Sequence, residues 1–147
     1  MRYATLILLS FLFSFSCLNK KSLTLAQPAQ TPAERPKISF TFDDGNTGDM
    51  PGYPFRVWND LLLKNLEQGG VQAIFFVTGN NKTDEKGRFL LKSWNDAGHT
   101  IANHTFSHPN YNSSKVSFID FKTELLKTDT IIGEYSNYRK LFRFPYL

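Results

Sequence analysis

The chain has a single cysteine, Cys17, among 147 residues, so no disulfide can form within it and no multi-cysteine zinc site exists. It has no apolar run long enough to cross a bilayer as a helix. The longest apolar stretch, Tyr3 to Phe15, falls short of the roughly 20 residues a span needs. It also lacks a basic run: the net charge of +4 comes from scattered Lys and Arg, which argues against a dedicated nucleic-acid surface. No internal repeat is visible, and the length allows one domain. What remains is apolar and aromatic. Hydrophobic residues make up 41% of the chain, with 14 Phe, enough to fill a core.

Arg2 followed by the apolar stretch and then small polar residues has the pattern of a signal peptide over residues 1–26. Two processing routes fit: lipid attachment at Cys17, as in a bacterial lipoprotein, or simple cleavage after Ala26. Either implies an exported product whose contact with membrane is limited to that anchor. Residues 27–36, rich in proline, read as an extended tether.

From residue 37 the chain alternates between strand and helix signals. Lys37 to Phe42 reads as a strand, with Ile38, Phe40 and Phe42 on one face. Trp58, Leu61, Leu62 and Leu66 recur at helical spacing between Phe55 and Gln68, and Gly69-Gly70 supplies the stop. The run "VQAIFFVTG" suits a strand buried on both faces. Phe89 to Ala97 is a second helix and "HTIANH" a third strand. Ser117 to Tyr135, opened by a Ser-x-x-Asp cap, is a third helix, and "KLFRFP" a fourth strand. The order βαβαβαβ implies parallel strands with helical crossovers. Trp58, Trp94 and the "IFF" run are assigned to the core, and His99 to an exposed or helix-terminal position.

Parallel α/β folds gather reactive groups at the carboxyl ends of their strands. Three polar clusters fall there: Asp43-Asp44-Gly45 after the first strand, "NHTFSHP" after the third and "RFPY" after the fourth. Two adjacent carboxylates repel one another unless a cation or unequal protonation relieves them. His104 and His108, four residues apart, can face one ion, and a carboxylate from the first strand completes a two-His, one-carboxylate set with an open position for water. Gly45 allows the sharp turn needed for both aspartates to reach one pocket. Taken singly each cluster has an ordinary explanation, since Asp-Gly is a common turn and paired histidines are common surface groups. A non-haem iron oxygenase also uses two histidines and a carboxylate, but the βα alternation disfavours its usual β fold.

Together, "TFDDG" at 41–45, "HTFSHP" at 104–109 and "RFPY" at 143–146 resemble the polysaccharide deacetylases of carbohydrate esterase family four, over Pro36 to Leu147. The resemblance implies an α/β fold, a distorted (β/α) barrel of which this chain supplies about the first half. It implies a hydrolase that removes acetyl groups from N-acetylated sugars of a chitin- or peptidoglycan-like polysaccharide, using water activated by a divalent metal, commonly zinc. By position, Asp43 is then the general base, Asp44, His104 and His108 hold the metal, Arg143 tunes Asp43, and the backbone N–H of Tyr146 helps to bind the oxyanion. Asn46 stands where the family usually has proline. The family's later Asp/Trp and Leu-x-x-His motifs, the second of which supplies a general acid, do not occur before Leu147. The expectation is therefore a catalytic domain over 37–147 truncated at its C-terminus, with a module that binds metal and glycan without turnover as the alternative.

Overall fold

The computed structural model describes residues 37–146. The signal peptide, Cys17 and the tether lie outside the described residues. Four strands, β1 (Phe40–Asp44), β2 (Ala73–Val77), β3 (Thr100–Asn103) and β4 (Tyr138–Phe142), alternate with three helices, α1 (Phe55–Gln68), α2 (Glu85–Asp96) and α3 (Phe118–Ile132). The sheet order is β1-β2-β3-β4 and every neighbouring pair is parallel. This is the α/β arrangement expected of the first half of a (β/α) barrel. No helix among the described residues is long and apolar enough to cross a membrane.

The core lies where β2 and β3 meet α1, α2 and α3. Phe75 and Trp94 stack with ring centroids 4.1 Å apart, and Phe55 and Leu66 of α1, Ala73 and Val77 of β2, Leu90, Leu91, Ile101 and Ile132 complete the buried cluster. Such stacked aromatic contacts add to plain area burial. Trp94 also donates its Nε1–H to Asn59 Oδ1 at 2.8 Å, which satisfies the one polar atom the ring brings inside.

Several element ends differ from expectation for identifiable reasons. β1 begins at Phe40 rather than Lys37, where its pairing with Ala73 of β2 starts, and Ile38 and Phe40 are exposed because β1 is an edge strand among the described residues. Leu61, expected on the apolar face of α1, is also exposed, and Asn59 is buried in the helix instead. α2 starts four residues earlier than the apolar spacing predicts. Asp84 caps it, accepting from Gly87 N at 2.7 Å, and its first turn is polar, so the hydrophobic pattern emerges only at Phe89. α3 opens with the predicted capping box, Ser117 with Asp120. β4 sits two residues upstream of "KLFRFP" because Tyr138, donating to Asp129 Oδ1 at 2.8 Å, anchors its start.

His99 is not exposed: it lies just beyond α2, and only 3% of its surface is open. Ala73 N donates to its Nδ1 at 3.3 Å, so the neutral ring carries its proton on Nε2. Burial holds its pKa below the ordinary 6.5. In acid the unfolded chain therefore binds a proton that the folded chain resists, and stability falls as pH drops below about 6.5. Melting in the presence of chelator at pH 7 and pH 5 should show a smaller acid-induced drop for His99→Gln than for the parent; an equal drop would assign the loss to other groups.

Candidate active site and metal centre

The three motif clusters meet at the carboxyl ends of β1, β3 and β4, where Asp43, Asp44, His104, His108, Arg143, Phe144 and Tyr146 line one cleft of about 360 Å³. All six sequence-predicted site residues are in that set. The parallel sheet makes this possible, because its right-handed crossovers return every strand end to the same rim.

The two aspartates part company at the end of β1. Asp43 faces Arg143, whose Nη1 donates to Asp43 Oδ1 at 2.7 Å and to Thr41 Oγ1 at 3.0 Å. The guanidinium lies 4.2 Å above the Phe76 ring, so a cation–π contact and two hydrogen bonds hold it in one orientation. Phe76 pairs in register with Asp43 across the β1–β2 ladder, which puts both on one face of the sheet. Asp44 turns the other way. Its own φ is +65° and that of Gly45 is +71°, so the reversal begins at the aspartate, one residue before the glycine expected to make it.

Asp44 Oδ1 lies 3.8 Å from His104 Nε2 and 3.5 Å from His108 Nε2. One ligand atom from each of the three residues falls within 4.8 Å of the others, close enough to share one ion. The tautomer is set as well. His104 Nδ1 is 2.9 Å from the Arg143 carbonyl oxygen, which can only accept, so Nδ1 carries the proton and the Nε2 lone pair faces Asp44. Two nitrogens and one oxygen, with half the Asp44 side chain open to solvent, suit a three-ligand zinc-type site with room for water.

The loop that carries both histidines is irregular, and its backbone is tied on every side. His104 N donates to Val77 O at 3.0 Å, Gly79 N to Thr105 O at 3.0 Å, and Asn80 N to Phe106 O at 2.9 Å. Asn103, only 2% exposed, is central. Its Oδ1 accepts from Thr105 N at 2.8 Å, while its Nδ2 donates to Leu125 O at 2.9 Å and Asp129 Oδ1 at 2.7 Å. Among the described residues four non-glycine positions have positive φ: Asp44, Thr105, His108 and Tyr146. Three line the cleft and the fourth follows a candidate ligand. A left-handed L-residue costs roughly 1–2 kcal/mol, and strain of this kind gathers at functional sites.

Sequence reasoning missed Thr41, Phe76, Asn103 and Lys82. Thr41 and Asn103 stand within the quoted motifs and Phe76 within the "IFF" run, but nothing in the sequence marks what each touches. Lys82 is fully buried, and its Nζ donates to the carbonyl oxygens of Asp44 at 3.0 Å and Gly45 at 2.6 Å and to Asn81 Oδ1. Burial pushes its pKa down to about 7, against the opposing pull of Asp44 and Asp84.

The polysaccharide deacetylase family model matches residues 30–147. A peptidoglycan-N-acetylglucosamine deacetylase of Bacillus cereus is 34% identical over 116 residues, which are 78% of this chain and 38% of that protein. A chitin deacetylase of Colletotrichum lindemuthianum is 27% identical over 136 residues, 90% of this chain and 50% of that protein. Among solved structures, a family 4 carbohydrate esterase from Streptomyces lividans in complex with acetate superposes with a TM-score of 0.59 at 28% identity, covering 74% of this chain and 50% of that one. The chain thus spans half or less of the length of these relatives.

Proposed function

Because this chain belongs to the polysaccharide deacetylase family, we propose that it is a metal-dependent hydrolase that removes acetyl groups from N-acetylated sugars of a peptidoglycan- or chitin-like polymer. One observation carries the proposal: Asp44, His104 and His108 converge to within 4.8 Å, beside a second carboxylate, Asp43, held separately by Arg143 at 2.7 Å. A ligand set and a base are thereby kept apart in one cleft.

Asp44, His104 and His108 would hold the cation, with zinc the best match to two imidazoles and a carboxylate. When bound, a divalent cation polarises the acetamide carbonyl and acidifies water. The protein supplies the rest. Arg143 engages Asp43 Oδ1 at 2.7 Å and leaves Oδ2 to take a proton from the attacking water. The backbone N–H of Tyr146 is assigned to the oxyanion that develops on the carbonyl oxygen. Water oxygen adds to the carbonyl carbon, the C–N bond breaks as its nitrogen takes the proton that Asp43 removed from water, and the amine and acetic acid leave and exchange a proton to give ammonium and acetate. Acetate is also the ligand of the Streptomyces esterase.

Export belongs to the same proposal. Peptidoglycan and chitin lie outside the cytoplasm, and an N-terminal signal peptide, with or without a lipid on Cys17, would deliver the protein to them.

Incubation of the protein with an N-acetylglucosamine oligomer should release acetate; chelation should abolish the release and added zinc restore it. Zinc binding and oligomer binding without acetate would support the glycan-binding module instead. Iron content with oxygen consumption would overturn both.

A further inference from the structure

Among the described residues Lys82 is the only fully buried lysine, and nothing in the proposed chemistry uses it. A buried ammonium is costly unless acceptors surround it. Those it has found are the backbone of the metal-binding turn. Its Nζ donates to Asp44 O at 3.0 Å and Gly45 O at 2.6 Å, two successive carbonyls of a segment with φ of +65° and +71°. Asn81 closes the arrangement: its Oδ1 accepts from Lys82, and its Nδ2 lies 3.5 Å from Gly45 O. Thr78 adds two more donors to the Asp44 carbonyl, N at 3.2 Å and Oγ1 at 3.1 Å.

Space around the lysine is shaped by glycines. A Cβ at Gly45 would stand 2.9 Å from Lys82 Cε and 2.8 Å from Trp94 Cη2. A Cβ at Gly87, on α2, would stand 2.3 Å from both Asn81 O and Lys82 Cα. The turn and the first part of α2 therefore close on the lysine from two sides, and the left-handed pair cannot relax without breaking its contacts with the ammonium. That pair decides where the Asp44 carboxylate points.

We propose that Lys82, together with Asn81, is a positioning residue that clamps the left-handed Asp44–Gly45 turn and so aims the Asp44 carboxylate at His104 and His108. The clamp rests on the proposed metal site. It acts through Asp44 and touches neither cation nor substrate.

The test is zinc affinity of the full chain, measured by competition with a chromophoric chelator, together with the visible spectrum of the cobalt-loaded protein. Lys82→Met, which keeps the apolar stem and removes the ammonium, should weaken zinc binding about tenfold or more, as loss of a group supporting a ligand does, and shift the cobalt bands. Asn59→Ala, which breaks the buried Asn59–Trp94 bond, should lower the melting temperature yet leave affinity and spectrum unchanged. Asn81→Ala should weaken zinc binding in the same direction as Lys82→Met but less. A Lys82→Met protein that melts lower yet binds zinc with parental affinity and spectrum makes the lysine purely structural and overturns the proposal. Should Lys82→Met fail to fold, parental affinity in Asn81→Ala does the same. If the parent binds zinc no better than His108→Ala, the metal site itself is misassigned and the clamp falls with it.

Discussion

Asp43→Asn is expected to lower acetate release by about 10²- to 10⁴-fold, the usual contribution of a positioned general base, while leaving zinc affinity close to that of the parent. Asparagine has the same shape as aspartate, and its carbonyl oxygen can still accept from Arg143, now 2.7 Å from Asp43 Oδ1. The guanidinium keeps its second bond to Thr41 and its place over Phe76, so the fold and the neighbouring ligands should be undisturbed. What disappears is an oxygen able to take a proton from water. Rates of acetate release and a zinc titration on the same protein separate the possibilities. A large fall in affinity would make Asp43 a metal ligand, and an unchanged rate would reduce the Asp43–Arg143 pair to a half-exposed ion pair of little energetic consequence.

Asp44→Asn and His108→Ala are expected to abolish stabilisation of the protein by zinc. A ligand that binds only the folded state, at a hundredfold excess over its Kd, adds about 2.7 kcal/mol, and each kcal/mol moves the midpoint of a domain of this size by about 4 °C. The parent should therefore melt well above its metal-free form, and both variants should melt at one temperature with or without zinc. His108 is the cleaner probe of the two imidazoles. Its side chain is 28% exposed, against 3% for His104, so its truncation opens little cavity. Its φ of +58° also means that the parent holds strain there which a ligand role would explain. A variant that zinc still stabilises as strongly as the parent would remove that residue from the ligand set.

The legible parts of this molecule are those governed by near neighbours in the chain. α1 runs over Phe55–Gln68 as its apolar spacing and the glycine pair require, and the Ser117–Asp120 box opens α3. The βα alternation was sufficient to place Asp43, His104 and Arg143 on one rim, because parallel strands joined by right-handed crossovers leave little choice. Residues at short separation, as in Asp43-Asp44 and His104-x-x-x-His108, could be paired as candidates from pattern, and they line one cleft.

What escaped the sequence depends on partners far away in the chain. A lysine reads as a surface residue; only the approach of the turn at Asp44–Gly45 and of Gly87 on α2 buries Lys82. Asn103 opens the cluster "NHTFSHP", yet its amide is spent on Leu125 and Asp129, more than twenty residues on. His99 is closed off by the start of β2, and Ile38 and Phe40 stay open because β1 is an edge among the described residues.

By itself, then, the sequence determined the family, the βα order and which side chains could do the chemistry, since these follow from local periodicity and from residue types at close spacing. The tertiary structure alone decided which aspartate faces Arg143 and which faces the histidines. That choice is made by the left-handed turn at Asp44, held by donors from Thr78, Asn81 and Lys82, and such a turn has no signature until those donors are brought to it.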